Sequence, residues 1–457
     1  MYLNSYLCLS FTGIPGSRPP IRSDRAKVFF PRLPCSISVN VIDFDAAGLE
    51  GGNDLRISEE RSPARLRRKI TMSHPLLDAA ASGGLFVGRV WNPEIAGPSI
   101  VTLREEQLID ITSREAPTLS ALLERQDAAG FARAANGKAI ASLEEITTNS
   151  IGAPDRARPY LLAPADLQAV KACGVTFAQS MIERVIEEKA AGNPERAASI
   201  RERVSTLIGG SLTNLKAGSP EAAKVKQALI DEGMWSQYLE VGIGPDAEVF
   251  TKAPVLSSVG WGADVGLHPI STWNNPEPEI VLAVNSRGEI KGVTLGNDVN
   301  LRDVEGRSAL LLGKAKDNNA SCSIGPFVRL FDAGYGLDDV RKAELDLKVS
   351  GEDGFVLHGK SSMSQISRDP TDLVKQTLGP HHQYPDGFML FLGTLFAPTQ
   401  DRDAPKQGFT HKIGDVVEIS SAGLGTLVNT VRLSTECPPW TFGISALMSN
   451  LAKRGLL

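Results

Sequence analysis

The stretch PEPEIVLAVNSRGEIKGVTLGNDVNLRD, residues 276–303, decides the predicted fold because two apolar runs in it flank a short polar turn. Residues 280–285 and 290–297 have the composition of β-strands, and Arg287-Gly288 lies between them. We expect the two runs to pair as an antiparallel hairpin closed at Arg287-Gly288. A loop of two or of four residues gives the same register, in which Glu277 lies opposite Asp298.

This register brings three carboxylates to one place. Glu277 and Glu279 are two residues apart, so their side chains point to the same face of a strand. Asp298, directly opposite Glu277, would repel it unless a cation lay between them. Because Mg²⁺ prefers carboxylate oxygens, the sequence predicts a divalent metal site formed by Glu277, Glu279 and Asp298. The alternative is a solvated strand face that carries acidic residues without a ligand.

Composition limits the classes of protein to which the chain can belong. It has 457 residues, a mass of 48.9 kDa, 42% hydrophobic residues and a net charge of −5. These values predict a globular protein of two or three domains without a nucleic-acid surface. No apolar run approaches the roughly 18 to 20 residues that span a bilayer, so no membrane partner is expected. The five cysteines lack CxxC spacing, which favours a reducing, cytoplasmic setting.

The first 71 residues differ from the rest of the chain. They combine Pro- and Gly-rich turns with the Arg-rich run RSPARLRRK and lack the pattern of a secretory signal. We expect residues 1–71 to be an unstructured extension or the result of a start assigned too early. On the second interpretation, the natural protein begins near Met72.

The rest of the chain is predicted to be α+β. Residues 72–150 are interpreted as a small N-terminal α+β domain, a linker follows over 141–162, and residues 160–457 are predicted to be the catalytic domain. That domain is expected to begin with helices at 166–170, 174–192 and 195–210, and a further helix at 220–239. After Val241 the pattern changes to strands. They include an alternating run at 345–349, an interior strand at 388–396 and a hairpin over 411–433.

Lys314, in GKAKDNNASCSIGPF, is the predicted catalytic lysine. It lies sixteen residues after Asp298, near enough in sequence to enter the same site. An ammonium group beside bound substrate oxygens would stabilise developing negative charge. A solvated surface lysine is the alternative. Gly313-Lys314 is not a phosphate-binding loop, because that motif requires Gly at position 308 and Ser or Thr at 315, where this chain has Ser308 and Ala315.

Taken together, these motifs resemble the fumarylacetoacetate hydrolase superfamily over roughly residues 165–435. The matching segments occur in that family's order and are PEPEIVLAV, LGNDVNLRD, GKAKD, SIGPFV, FLGTLF and IGDVVEISSAGLGTLVNTV. The resemblance implies a C-terminal domain of mixed β-sandwich or β-roll type with a helical insertion. It also implies Mg²⁺ or Mn²⁺ held by the three carboxylates, a 2-oxo acid substrate and a homo-oligomer. The substrate-binding residues that it implies are Ser180, Asp317, Gly393 and Thr394.

One departure from the family pattern bears on the reaction. Members that hydrolyse carbon–carbon bonds often carry an N-Y-x-x-H-x-x-E segment whose His and Glu activate water. In this chain Glu183 is kept, while Ser180 stands at the histidine position. Serine does not accept a proton near neutral pH as imidazole does, so a His-Glu pair is absent and Glu183 remains as a candidate base.

Within the superfamily the chain looks most like the sugar-acid dehydratases, which convert 2-dehydro-3-deoxy-D-pentonates to 2,5-dioxopentanoate. The expected activity is therefore a metal-dependent β-elimination of water from a 2-keto-3-deoxy sugar acid, with Lys314 and Glu183 as catalytic residues. Two alternatives stay open. One is hydrolysis of an acylpyruvate-type carbon–carbon bond, and the other is an inactive metal-binding homologue.

Overall fold

The structure is a computed structural model that describes residues 76–78 and 83–457, except 209–214, 232, 234, 395, 397 and 406. All of these residues belong to one unit, Glu59–Leu457. The predictions for residues 1–71 and for a start at Met72 concern residues outside the described part.

A large, mostly antiparallel sheet forms the centre of the described structure. Its strands follow the spatial order β4-β3-β2-β1-β13-β11-β10-β16-β6-β7, and β5 pairs with β1 at one side. Their bounds are β1 Phe86–Asn92, β2 Gly97–Arg104, β3 Gln107–Asp110, β4 Lys138–Ser142, β5 Tyr160–Leu162, β6 Ala169–Cys173, β7 Val249–Ala253, β10 Pro278–Val284, β11 Ile290–Asp298, β13 Cys322–Leu330 and β16 Phe388–Phe391.

The predicted hairpin lies in the middle of this sheet. β10 pairs antiparallel with β11, and Pro278 opposes Asn297 as the expected register requires. The amide of Asp298 donates to the carbonyl of Glu277 (3.0 Å), which extends the same register by one residue. Gly288 adopts φ +77° in the connecting turn, a conformation that glycine accepts without strain. The predicted pairing is therefore confirmed.

A second sheet packs face to face with the first. Its order is β15-β14-β17-β18-β8, with bounds β8 Asp264–Leu267, β14 Glu344–Ser350, β15 Val356–Ser362, β17 Val416–Ser421 and β18 Gly425–Leu433. β14 buries alternate side chains, as its sequence pattern predicted, and these join one apolar core with side chains of β10 and β11. A two-stranded pair, β9 Asn274–Asn275 and β12 Asn300–Leu301, lies next to the ends of the central hairpin. The result is a β-sandwich.

Helices cover the outer face of the large sheet. Thr118 caps α1 (Leu119–Glu124) and Asp127 caps α2 (Ala128–Ala134), while α3 (Leu143–Ser150) begins with a capping box at Ser142. Apolar residues of α1 and α2 pack on β10, β13 and β16 in a second core. β1 pairs with β13, so strands from the two predicted domains share one sheet. The predicted boundaries at 72–150 and 160–457 stay predictions.

The helical insertion forms a third apolar cluster. It contains α4 Ala178–Ala190, α5 Pro194–Ile208, α6 Pro220–Asp231 and α7 Gln237–Ile243. The predicted helix over 166–170 is wrong. Asp166 lies in a loop, where its carboxylate accepts from the amides of Leu119 and Ser120, and strand β6 begins three residues later.

Short helices complete the described elements. They are α8 Arg302–Glu305, α9 Leu312–Lys316, α10 Leu337–Val340, α11 Pro370–Thr377 and α12 Ile444–Lys453, with 3-10 turns at Pro93–Ile95, Ala309–Leu311 and Met363–Gln365. Among the described residues, none of these helices has the length and apolar character needed to cross a lipid bilayer.

Candidate metal centre and active site

The two strands of the central hairpin deliver three buried carboxylates to one point. Glu279 lies in β10, Glu277 directly precedes that strand, and Asp298 is the last residue of β11. One carboxylate oxygen from each of the three lies within 4.8 Å of the others. All three side chains are buried, so the solvated strand face considered above is not what the structure contains.

Cationic and backbone donors hold these carboxylates. Lys316 Nζ lies 2.5 Å from Glu277 Oε2 and 3.1 Å from Asp298 Oδ2. Lys252 Nζ, which is fully buried, pairs with Asp298 Oδ1 at 2.8 Å. The backbone amide of Gly393 donates to Glu279 Oε2 at 2.7 Å.

Burial and neighbouring charges shift the pKa values of these groups in opposite directions. Burial, together with the charges of Asp298 and Glu277, raises the pKa of Glu279 well above its usual range. Burial alone would raise the pKa of Asp298, but Lys252 and Lys316 outweigh it and lower that pKa. For Lys316 the directions are reversed. Burial alone would lower its pKa, but the carboxylates of Asp298 and Glu277 outweigh burial and raise it. Lys316 therefore stays a cation.

The net charge of the groups around the triad is negative and would be balanced by a divalent cation. Six carboxyl groups and four cationic side chains meet here, an excess of two negative charges when all ten are ionised: Glu187, Glu248, Glu277, Glu279, Asp298 and Glu305 against Arg184, Lys252, Arg302 and Lys316. Buried charges need compensation. Three converging carboxylates are also the ligand set that Mg²⁺ accepts. The residues present thus fit a hard divalent ion.

Glu248 is a functional candidate that the sequence analysis missed. It lies just before β7 and lines the same small cavity as the triad. Its carboxylate lies so close to Gly174 that a Cβ there would come within 1.9 Å of Glu248 Oε2. Burial, with the charge of Glu305 as the next cause, raises the pKa of Glu248 to about 7. The alternation of side chains along a strand could have indicated this residue, because it places Glu248, Phe250 and Lys252 on one face.

The lysine at the triad is Lys316, not the predicted Lys314. Both belong to α9, but residues two apart on a helix point in different directions. The side chain of Lys314 is exposed, whereas that of Lys316 is buried against Glu277 and Asp298. The structure therefore does not bring Lys314 to the carboxylates.

The other predicted residues divide into two groups. Ser180 and Thr394 are buried and line the cavity, and Gly393 contacts Glu279 through its amide. Asp317, at the end of α9, is exposed and does not line the cavity. Glu183 does not line it either, because Arg201 holds its carboxylate through two contacts of 2.9 and 2.7 Å.

Comparison with known proteins finds a family match over part of the chain. Residues 248–432 match the family described as fumarylacetoacetate (FAA) hydrolase C-terminal. A "Probable 2-keto-3-deoxyxylonate dehydratase" of Haloferax volcanii is 31% identical over 201 residues, 44% of this chain and 65% of that protein. A "2-dehydro-3-deoxy-D-arabinonate dehydratase" of Saccharolobus solfataricus is 29% identical over 185 residues, 40% of this chain and 58% of that protein. The chain thus spans less than two thirds of each relative that it matches.

Solved structures support the fold. An apo 2-keto-3-deoxy-D-arabinonate dehydratase superposes with a TM-score of 0.54 at 20% identity, covering 76% of this chain and 99% of that one. The same coverage, with a TM-score of 0.53, is found for a structure of that enzyme complexed with magnesium and 2,5-dioxopentanoate. At this identity the likeness bears on the fold alone, and it confirms the predicted α+β class. As the sequence resemblance predicted, residues 248–432 of this chain match the fumarylacetoacetate hydrolase family.

Proposed function

We propose that this protein is a Mg²⁺-dependent dehydratase that removes water from a 2-keto-3-deoxy sugar acid. The observation that carries the proposal is the buried triad of Glu277, Glu279 and Asp298 with Lys316 and Glu248 in one cavity. Relatives named as dehydratases of 2-keto-3-deoxy pentonates support the substrate class. The neighbour complexed with magnesium and 2,5-dioxopentanoate supports the metal and the product.

Each residue has a role that follows from its position. A divalent cation held by the three carboxylates would supply Lewis-acid polarisation of the substrate's 2-oxo group. Glu248 would accept the C3 proton and pass it to the C4 hydroxyl, which leaves as water, because Glu248 is the carboxyl group of the cavity whose pKa lies near neutrality. Lys316, a cation beside the triad, would stabilise the negative charge that develops on the substrate as the C3 proton leaves.

The remaining cavity residues would position the substrate. The hydroxyl of Ser180 donates to the carbonyl of Phe177 (2.9 Å) and that of Thr394 to the carbonyl of Phe396 (3.1 Å). In these orientations both oxygens are acceptors, suited to hydroxyl groups of a sugar acid. The cavity measures about 20 Å³, which fits a water molecule or an ion and is too small for a five-carbon acid. The proposal therefore requires lining side chains to change rotamer on binding.

A substrate panel tests the proposal. The full-length protein is incubated with 2-keto-3-deoxy-D-pentonate, with its L enantiomer and with an acylpyruvate, each with Mg²⁺ or with EDTA. NMR should detect 2,5-dioxopentanoate from a sugar acid with Mg²⁺ and none with EDTA. Cleavage of the acylpyruvate alone would favour the hydrolase alternative, and sugar-acid turnover unaffected by EDTA would contradict the role of the metal. Replacement of Mg²⁺ by Mn²⁺, a homo-oligomeric state and a cytoplasmic location stay predictions of the sequence resemblance and composition.

A further inference from the structure

Arg184 joins one carboxylate of the triad to the helical insertion. It lies on α4, and its side chain is 11% exposed at the wall of the triad cavity. Its Nη2 lies 2.5 Å from Glu277 Oε1, whereas Lys316 contacts the other oxygen, Oε2. Glu277 is therefore held from both sides, by Lys316 on one oxygen and by Arg184 on the other.

The same guanidinium is itself fixed by two further carboxylates. Arg184 Nη1 lies 2.6 Å from Glu187 Oε2, one turn along α4, and 3.2 Å from Glu305 Oε2 on α8. Glu187 is in turn held by Arg302, whose Nε lies 3.2 Å from Glu187 Oε1. The guanidinium of Arg184 thus contacts carboxylates from α4, from α8 and from the residue before β10. These contacts leave Arg184 little freedom to turn away from Glu277.

The chemistry of arginine suits this arrangement. A guanidinium is planar and presents five donors in a rigid fork, so one group can hold several carboxylates at fixed angles. A lysine at the same position would keep the charge but would offer a single flexible ammonium group. Partners that orient a ligand residue from behind typically change metal affinity by about 10- to 100-fold when they are replaced.

We propose that Arg184 is a positioning residue, which fixes the orientation of the Glu277 carboxylate and thereby sets the affinity of the triad for a divalent cation. This inference rests on the metal site of the proposed function and deepens it. It also gives the helical insertion a function, because α4 then aligns a metal ligand that lies just before β10.

Direct measurement of metal binding tests the inference. Mg²⁺ is titrated by calorimetry into chelator-treated, full-length wild-type protein and into Arg184→Lys. We expect the dissociation constant to rise about 10- to 100-fold in Arg184→Lys, with kcat at saturating Mg²⁺ changed much less. An unchanged dissociation constant in a folded Arg184→Lys protein overturns the inference and leaves the proposed function standing.

Arg402→Lys is the matched control. Arg402 is an arginine with a side chain 1% exposed that pairs with two carboxylates, Asp415 and Asp353, and it does not line the triad cavity. This variant should bind Mg²⁺ as the wild type does. An equal loss of affinity in Arg402→Lys would mean that any buried ion-pair defect weakens the site, which also overturns the inference.

A second variant covers the case in which Arg184→Lys does not fold. Glu305→Gln removes one carboxylate that holds Arg184 and leaves Arg184 and Glu277 in place. It should raise the dissociation constant for Mg²⁺ by a smaller factor, and wild-type affinity in this variant would count against the inference. Failure of the wild-type protein to bind any divalent cation would refute the proposed function itself, so the two failures are distinguishable.

Discussion

Glu248 is the side chain of the triad cavity whose proton affinity suits acid–base catalysis near neutral pH. Its pKa of about 7, caused first by burial and then by the charge of Glu305, makes both protonation states accessible there. Glu183, the base that the sequence favoured, is held by Arg201 and does not line the cavity. Position therefore favours Glu248, which the sequence patterns did not reveal, over Glu183, which they indicated.

Two isosteric substitutions test which glutamate is the base. Glu248→Gln should lower kcat by about 10²- to 10⁴-fold, the usual contribution of a positioned acid–base group, while Mg²⁺ still binds. Glu183→Gln should lower kcat far less, because it breaks a contact with Arg201 outside the cavity. Steady-state kinetics on the sugar-acid substrate provide the measurement. A greater loss in Glu183→Gln would restore the assignment made from the sequence.

The raised pKa of Glu248 also predicts how stability depends on pH. Below pH 4.5, its ordinary value, the carboxyl group holds its proton in both the folded and the unfolded chain. Between pH 4.5 and about 7 only the folded state retains the proton, so the wild type loses stability relative to Glu248→Gln as pH rises through that window. Thermal unfolding of both proteins in EDTA between pH 4 and 8 tests this. Parallel curves across the window would contradict the assignment.

The lysines of α9 provide a second residue-level test. Lys316→Met should lose most of the turnover at saturating Mg²⁺, because the cation beside Glu277 and Asp298 is removed. Lys314→Met should keep nearly wild-type kinetics, since that side chain is exposed. The opposite result would contradict the position that the structure gives to Lys316.

Among the residues of the site, the sequence predicted the three carboxylates of the triad but not the lysine beside them. Period-two alternation and a turn at Arg287-Gly288 were enough to place Glu277, Glu279 and Asp298 together. Which of the two lysines faces the triad depends on the rotation of α9 about its axis, and α9 has only five residues. One turn of helix with lysines two positions apart contains no periodic pattern from which that rotation could be read.

Among the elements, the connection after β16 contacts the triad through its backbone. Gly393 adopts φ +89° and donates its amide to Glu279. A Cβ at this position would come within 2.1 Å of Thr176 Oγ1. Only glycine satisfies both the backbone conformation and the close approach.

Alanine substitution at two glycines separates these effects. Gly393→Ala should destabilise the protein by about 1–3 kcal/mol more than Gly354→Ala, because overpacking adds to the backbone strain. Gly354 has a similar φ of +84° and open space around it, so it reports the strain alone. Urea unfolding measures the difference, and calorimetry should find weaker Mg²⁺ binding only in Gly393→Ala. Equal losses in both variants would contradict the close approach to Thr176.

Most elements with a long, regular pattern were predicted correctly, but the single helix predicted over 220–239 is two helices, α6 and α7. The β10–β11 hairpin, β14 and the β17–β18 hairpin follow from alternation, and α4 follows from helical spacing. The segment at 166–170 was predicted wrongly because five residues do not define a period. Its structure is set by distant partners, since Asp166 binds the amides at the start of α1 and β6 pairs in parallel with β16.

For the molecule as a whole, strand order was the least predictable property. β1 pairs with β13 although more than two hundred residues separate them in sequence, and no local pattern specifies such a partner. The β-sandwich was predicted from the family resemblance, because local patterns do not specify which strands pair. The large sheet carries the triad and the helical insertion contacts it through Arg184, so metal binding should stabilise both parts of the structure together.

Mg²⁺-dependent stability of the wild type and of Asp298→Asn is the most direct test of this account. A ligand at 100 times its dissociation constant stabilises the folded state by about 2.7 kcal/mol, so Mg²⁺ should raise the Tm of the wild-type protein by several degrees. Asp298→Asn should lose most of that increase, because it removes one of the three converging carboxylates. A wild-type Tm unaffected by Mg²⁺, or an equal increase in Asp298→Asn, would contradict the claim that this triad binds a divalent cation.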